Sequence, residues 1–137
     1  MKYRELTKYR YQVIVDEAFK TSVKPPKKLV TKYILLDTDG TLIAREGYAW
    51  NGASKPAINT KTNRRASCAH DAFYQVMNLG LLDLSFRLLC DEEYYKICLA
   101  DGMWKVRADL EKWVLNNFAE FAAKPDGKRE VVILECP

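Results

Sequence analysis

The hydrophobic pattern of this chain changes period once, and that change limits the folds open to it. Before residue 47 the apolar residues come in short β-branched and aromatic runs. These are YRYQVIVDEAF, with its core at 11–19, and KLVTKYILL at 28–36, and both suit strands. After residue 63 the apolar residues recur at spacings of three and four, as on helices with one buried face. Strands first and helices afterwards predict an α+β architecture, with an N-terminal antiparallel sheet packed beside a three-helix core. A length of 137 residues suits one domain. We expect a single domain over 1–137: a β-rich part at 1–50, a loop and helical part at 51–123, and a closing segment at 124–137. EVVILEC (130–136) is the expected C-terminal strand.

Turn chemistry divides these elements. KTSVKPPKK (20–28) reads as a solvated turn, since its two prolines block regular pairing. LLDTDGTLIA (35–44) resembles the first motif of the haloacid-dehalogenase phosphatases, with Asp37 as nucleophile and Asp39 two residues on. The long α/β sequel of that fold does not follow, however. An Asp-Gly pair between two β-rich runs instead predicts a hairpin. GYAWNGASKPAINTKTN (47–63) is a long loop, of a length that is often functional. Helices are predicted at 63–79, stopped by Gly80; at 84–101, capped by Asp83 and stopped by Gly102; and at 103–123.

The balance of 22 basic to 18 acidic residues is mild, and the basic residues are scattered, so no nucleic-acid partner is expected. No apolar run reaches membrane-spanning length, and the opening MKYRELTKYRYQ lacks an apolar segment of the signal-peptide type. Of the four cysteines, Cys68, Cys90, Cys98 and Cys136, none forms a CxxC pair, so reduced, buried thiols are the default. A disulfide between the first two helices stays open as an alternative.

Two polar residues fall on stripes that should face inward. On the first helix Ala66, His70, Phe73 or Tyr74, Met77 and Leu81 follow helical spacing; on the second, Leu84, Leu88, Asp91, Tyr95 and Cys98 do so. Glu92, Glu93 and Lys96 fall on other faces. An inward carboxylate is costly without a partner, and the short connection 80–83 makes the two helices neighbours. His70, the single histidine, and Asp91 are therefore candidates to meet. Such a pair can serve as base and orienter, the carboxylate fixing the tautomer while the other nitrogen takes a proton from water. It can equally be a buried bond that satisfies two core polar groups.

His70, Asp71 and Tyr74 form a His-Asp-x-x-Tyr motif that resembles the active helix of the secreted phospholipase A₂ superfamily. The resemblance covers roughly 47–100 and implies several roles. His70 would activate water, Asp91 and Tyr74 would support it, and Asp71 would bind calcium with backbone carbonyls near Tyr48, Trp50 and Gly52. Calcium accepts such mixed oxygen ligands, and the implied partner is a phospholipid or membrane surface. The cysteine positions, Trp50 in the loop, the short His70–Asp91 interval and the β-rich N-terminal segment depart from that family's pattern. GYAWNGASKP followed by AHDAFY is similar to a family of small phage and bacterial proteins without a settled activity. That resemblance implies virion proteins as partners and residence in a host cytoplasm or a virion. Ser54 reads as a loop-structuring hydroxyl, because no nucleophile elbow surrounds it.

Overall fold

Seven short strands precede three helices in the computed structural model, which describes residues 1–7, 9–53 and 58–118. Ser54, the helical residues expected at 119–123, Cys136 and the strand expected at 130–136 lie outside the described residues. The strands are β1 (Tyr3–Glu5), β2 (Tyr11–Val13), β3 (Glu17–Lys20), β4 (Leu29–Val30), β5 (Ile34–Leu36), β6 (Thr41–Ala44) and β7 (Ala49–Trp50). They form two antiparallel sheets, ordered β1-β2-β7 and β3-β6-β5-β4. The helices are α1 (Arg64–Asn78), α2 (Arg87–Ala100) and α3 (Lys105–Phe118). The fold is α+β, with the strands leading.

Both long β-rich runs are broken where the sequence reads as continuous. The first bends at residues 14–16, where Ile14 and Val15 are exposed and the Asp16 carboxylate accepts the Glu46 N–H at 2.7 Å. The chain thereby leaves one sheet for the other. The second run is itself a hairpin. The Thr31 N–H donates to the Ile34 carbonyl at 2.8 Å, and the Thr31 hydroxyl accepts the Ile34 N–H at 3.0 Å. Leu29 then pairs with Leu36. The β-propensity of Thr-Lys-Tyr conceals a turn that the threonine hydroxyl stabilises. β1, at the opening, and β7, inside the expected loop, are strands without a sequence signal of their own.

The Asp-Gly turn is a hairpin, as its chemistry predicts. The Asp37 N–H donates to the Thr41 carbonyl at 2.9 Å, and the Asp39 carboxylate accepts the Thr41 N–H at 2.8 Å. Gly40 has φ +91°, and a Cβ there would lie 2.0 Å from the Thr21 carbonyl oxygen. Conformation and space both require glycine.

α1 and α2 begin and end close to their predicted limits, with Gly80 and Gly102 at positive φ just beyond them, and α3 begins close to its own. The Asp83 carboxylate accepts the Ser85 N–H at 2.8 Å, but the turn it caps is a short 3-10 segment over Leu84–Phe86 that precedes α2. Burial is less simple than two stripes. In α1 twelve of the fifteen residues are buried, so this helix has almost no outer face. In α2 the inward residues are Cys90, Asp91, Glu93, Tyr94, Ile97 and Cys98, whereas Leu88 and, just before the helix, Leu84 are exposed, as is Leu81, the last residue of the first stripe. The buried face is thus rotated from the expected one. Glu93 illustrates the cause: its carboxylate is buried because it accepts the Ser22 N–H from the strand region at 2.7 Å, with Lys96 3.6 Å away. A hydrogen-bonded carboxylate can occupy a position that hydropathy assigns to solvent.

Cys68, Cys90 and Cys98 are buried free thiols, so no disulfide joins α1 to α2. Among the described residues no helix is long and apolar enough to cross a membrane.

Candidate active site

One turn of α1 places His70 and Tyr74 on the same side, opposite Asp91 of α2. The His70 Nε2 lies 2.7 Å from Asp91 Oδ1, and the Tyr74 hydroxyl donates to that same oxygen at 2.7 Å. All three are buried, Asp91 completely and His70 with 4% of its surface exposed. A carboxylate can only accept, so the pairing places a proton on Nε2, and in the neutral form of the ring Nδ1 is then the basic nitrogen. The imidazole is also held by rings. Its centroid is 4.1 Å from that of Tyr74 and 5.5 Å from that of Tyr94, the latter edge-on. Burial, and then the Asp91 charge, push the Tyr74 phenol well above its ordinary range, so it remains a donor.

Asp91 Oδ2 faces the Arg87 guanidinium at 3.6 Å, an ion-pair distance too long for a hydrogen bond. That oxygen is buried without a hydrogen-bond partner among the described residues. The Arg87 N–H groups donate instead to the Asn116 carbonyl at 3.2 Å and the Leu115 carbonyl at 3.4 Å on α3. Arg87 therefore offsets the Asp91 charge while its hydrogen bonds fasten α2 to the far end of α3.

A second buried carboxylate lies behind the imidazole. Glu111 of α3 accepts from the Tyr94 hydroxyl at 2.5 Å, the Arg107 Nε at 2.7 Å and the Asn63 Nδ2 at 3.3 Å. Tyr94 thus walls His70 with its ring while its hydroxyl binds Glu111. Arg87, Tyr94 and Glu111 are the residues that sequence reading missed. Arg87 carried a signal, its i,i+4 spacing to Asp91. Glu111 carried none, because nothing in the sequence fixes the rotation of α3.

The residues expected to hold calcium are distributed over β7, its flanks and α1. Trp50 Nε1 donates to the Ser67 hydroxyl at 3.0 Å, which pins β7 against α1 one turn before Asp71. Tyr48 stacks on Trp50 with centroids 6.3 Å apart, and both side chains are buried, so only their backbone oxygens could serve a metal. The Tyr48 carbonyl already accepts the Val13 N–H at 2.8 Å. Gly52 has φ +90°, and a Cβ there would lie 2.3 Å from the Asn59 side-chain oxygen, which accepts the Ala53 N–H. Asp71 is partly exposed. The Cys68 thiol is pushed well up by burial first, and then by the charges of Asp71 and Glu17. Among the described residues no three His, Cys, Asp or Glu side chains converge, so a calcium site here would rest on Asp71 and main-chain oxygens. Calcium affinity falls as the anionic ligands become fewer.

No family model matches the chain, and no curated protein or solved structure is significantly similar to it.

Proposed function

We propose that this protein is an ester hydrolase acting on phospholipid, with His70 as general base, Asp91 as its orienter and Tyr74 as a supporting donor. The observation that carries this reading is the single Asp91 oxygen shared by His70 Nε2 and the Tyr74 hydroxyl. With Nε2 committed, Nδ1 is the atom that would take a proton from the attacking water. The buried carboxylate, close to Arg87, would stabilise the imidazolium that results. Asp71 is the carboxylate that would hold calcium, with oxygens of Tyr48, Trp50 and Gly52. When bound, the ion would polarise an ester carbonyl.

A second reading is favoured by burial. With His70 96% enclosed, the trio also works as a polar clasp between two helices, and the chain is then a non-enzymatic phage virion, tail or host-interaction protein. The experiment pairs two measurements on His70→Gln: hydrolysis of dispersed phospholipid with calcium present, and thermal stability. The hydrolase reading expects activity in wild type and a loss of about 10²–10⁴-fold in the variant near native stability. Wild type inactive on lipids and short-chain esters, with a destabilised variant, removes it and leaves the clasp. Titration of calcium into wild type and Asp71→Asn tests the metal, since equal heats would remove Asp71 from that role.

A further inference from the structure

A cleft of about 320 Å³ opens at the N-terminal end of α1, lined by Met1, Tyr3, Lys61, Arg64, Arg65 and Asp101. We infer that it binds the phosphoryl group of a phosphate ester through Arg64 and Lys61.

The argument begins with charge. Arg65 is compensated, its Nε lying 3.2 Å from Asp101 and its Nη1 3.7 Å from Glu17. Among the described residues Asp101 is the one acid lining the cleft, and Arg65 engages it. Arg64 has no carboxylate partner among the described residues. Its Nη1 donates to the Tyr3 hydroxyl at 2.6 Å and its Nη2 to the Tyr11 hydroxyl at 3.1 Å. The guanidinium carbon also lies over the same two rings, 5.2 and 4.5 Å from their centroids. Two phenols orient this cation without neutralising it. Its Nε is enclosed by protein, so an anion in the cleft would meet the Nη groups. Lys61 is exposed and likewise has no ion pair among them. The first turn of α1 adds positive potential, because it holds no acidic residue and no side chain caps it.

A fixed planar guanidinium beside a mobile ammonium suits a tetrahedral oxyanion, the fork setting direction and the lysine adding charge. The volume is at the small end for ligand clefts, which favours a compact phosphate ester over a long chain. His70 is not among the lining residues, so this inference does not depend on the hydrolase reading.

The test is a two-dimensional amide NMR titration of the full chain with sodium phosphate and with glycerol phosphate, each against sodium chloride at matched ionic strength. Saturable shifts at Tyr3, Lys61, Arg64 and Arg65 are expected with both phosphates and not with chloride. Lys61→Gln, an exposed change, should weaken binding about threefold, and Arg64→Lys about tenfold, because the fork is lost while the charge stays. If Arg64→Lys disturbs the fold, Lys61→Gln carries the test. Equal shifts with phosphate and chloride, or unchanged affinity in Lys61→Gln, would overturn the inference. Co-sedimentation with phosphatidic acid vesicles, sensitive to Lys61→Gln, would support it with a lipid headgroup as the source. Glycerol phosphate binding without co-sedimentation would support it with a soluble ester as the source.

Discussion

His70 Nε2 and Asp91 Oδ1 lie 2.7 Å apart inside the interface of α1 and α2, and the Arg87 guanidinium is farther from the carboxylate, at 3.6 Å. The contact links two residues that the sequence separates by twenty-one positions. It also makes Asp91, which serves two donors, costly to remove by itself.

Asp91→Ala should destabilise the fold by about 3–5 kcal/mol, since it strands a buried imidazole, a phenol and a guanidinium together. Tyr74→Phe keeps the ring and loses one hydrogen bond, so about 1 kcal/mol is expected. Urea unfolding of both variants checks the order. Similar losses from the two would mean that Asp91 is not the hub.

The tautomer offers an independent check. With Asp91 accepting, the neutral ring of His70 should carry its hydrogen on Nε2 and leave Nδ1 unprotonated. Nitrogen-15 chemical shifts of the single imidazole distinguish the two forms directly. Hydrogen on Nδ1 would mean that Asp91 is not the acceptor, and the proposed base would lose its orienter.

Two glycines should respond differently to alanine. Gly80→Ala meets nothing within 4 Å and faces only the positive-φ penalty, about 1–2 kcal/mol. Gly40→Ala adds a collision with the Thr21 backbone, so its loss of melting temperature should be clearly larger. Equal effects would argue against the close approach of the hairpin turn to Thr21.

The buried thiols set an alkaline limit. Burial pushes Cys68 and Cys90 well up and Cys98 to about 12, against an ordinary value of 9.0. Folding therefore favours the neutral thiols. Their contribution is complete below pH 9 and is lost as pH rises through the folded values, so stability should fall above that pH. Urea midpoints at neutral and alkaline pH read this out. Native protein should also resist iodoacetamide until it unfolds, and rapid labelling at neutral pH would contradict the burial.

Fold class was legible because the change of period is a global property, and the meeting of His70 with Asp91 because helical spacing set both inward. The rotation of α2 was not. Glu93 turns inward through a bond to the Ser22 backbone, a tertiary partner that no local pattern announces. Thr31 hid a turn because its hydroxyl can stabilise either a strand or a bend, and the choice depends on Leu29 finding Leu36. Tyr94 and Glu111 escaped notice for the same reason, since their roles exist only once three helices are assembled.

The near-complete enclosure of α1 has an evolutionary consequence. A helix with one free face can drift there without cost, whereas twelve of the fifteen residues of α1 are already committed to neighbours. Its history must therefore run through compensated pairs, with a change in α1 tolerated when its neighbour in α2 or β7 changes as well. A library that varies α1 alone should return mostly unfolded chains. One that varies Ser67 with Trp50, or Tyr74 with Asp91, should recover folded members that neither single change allows.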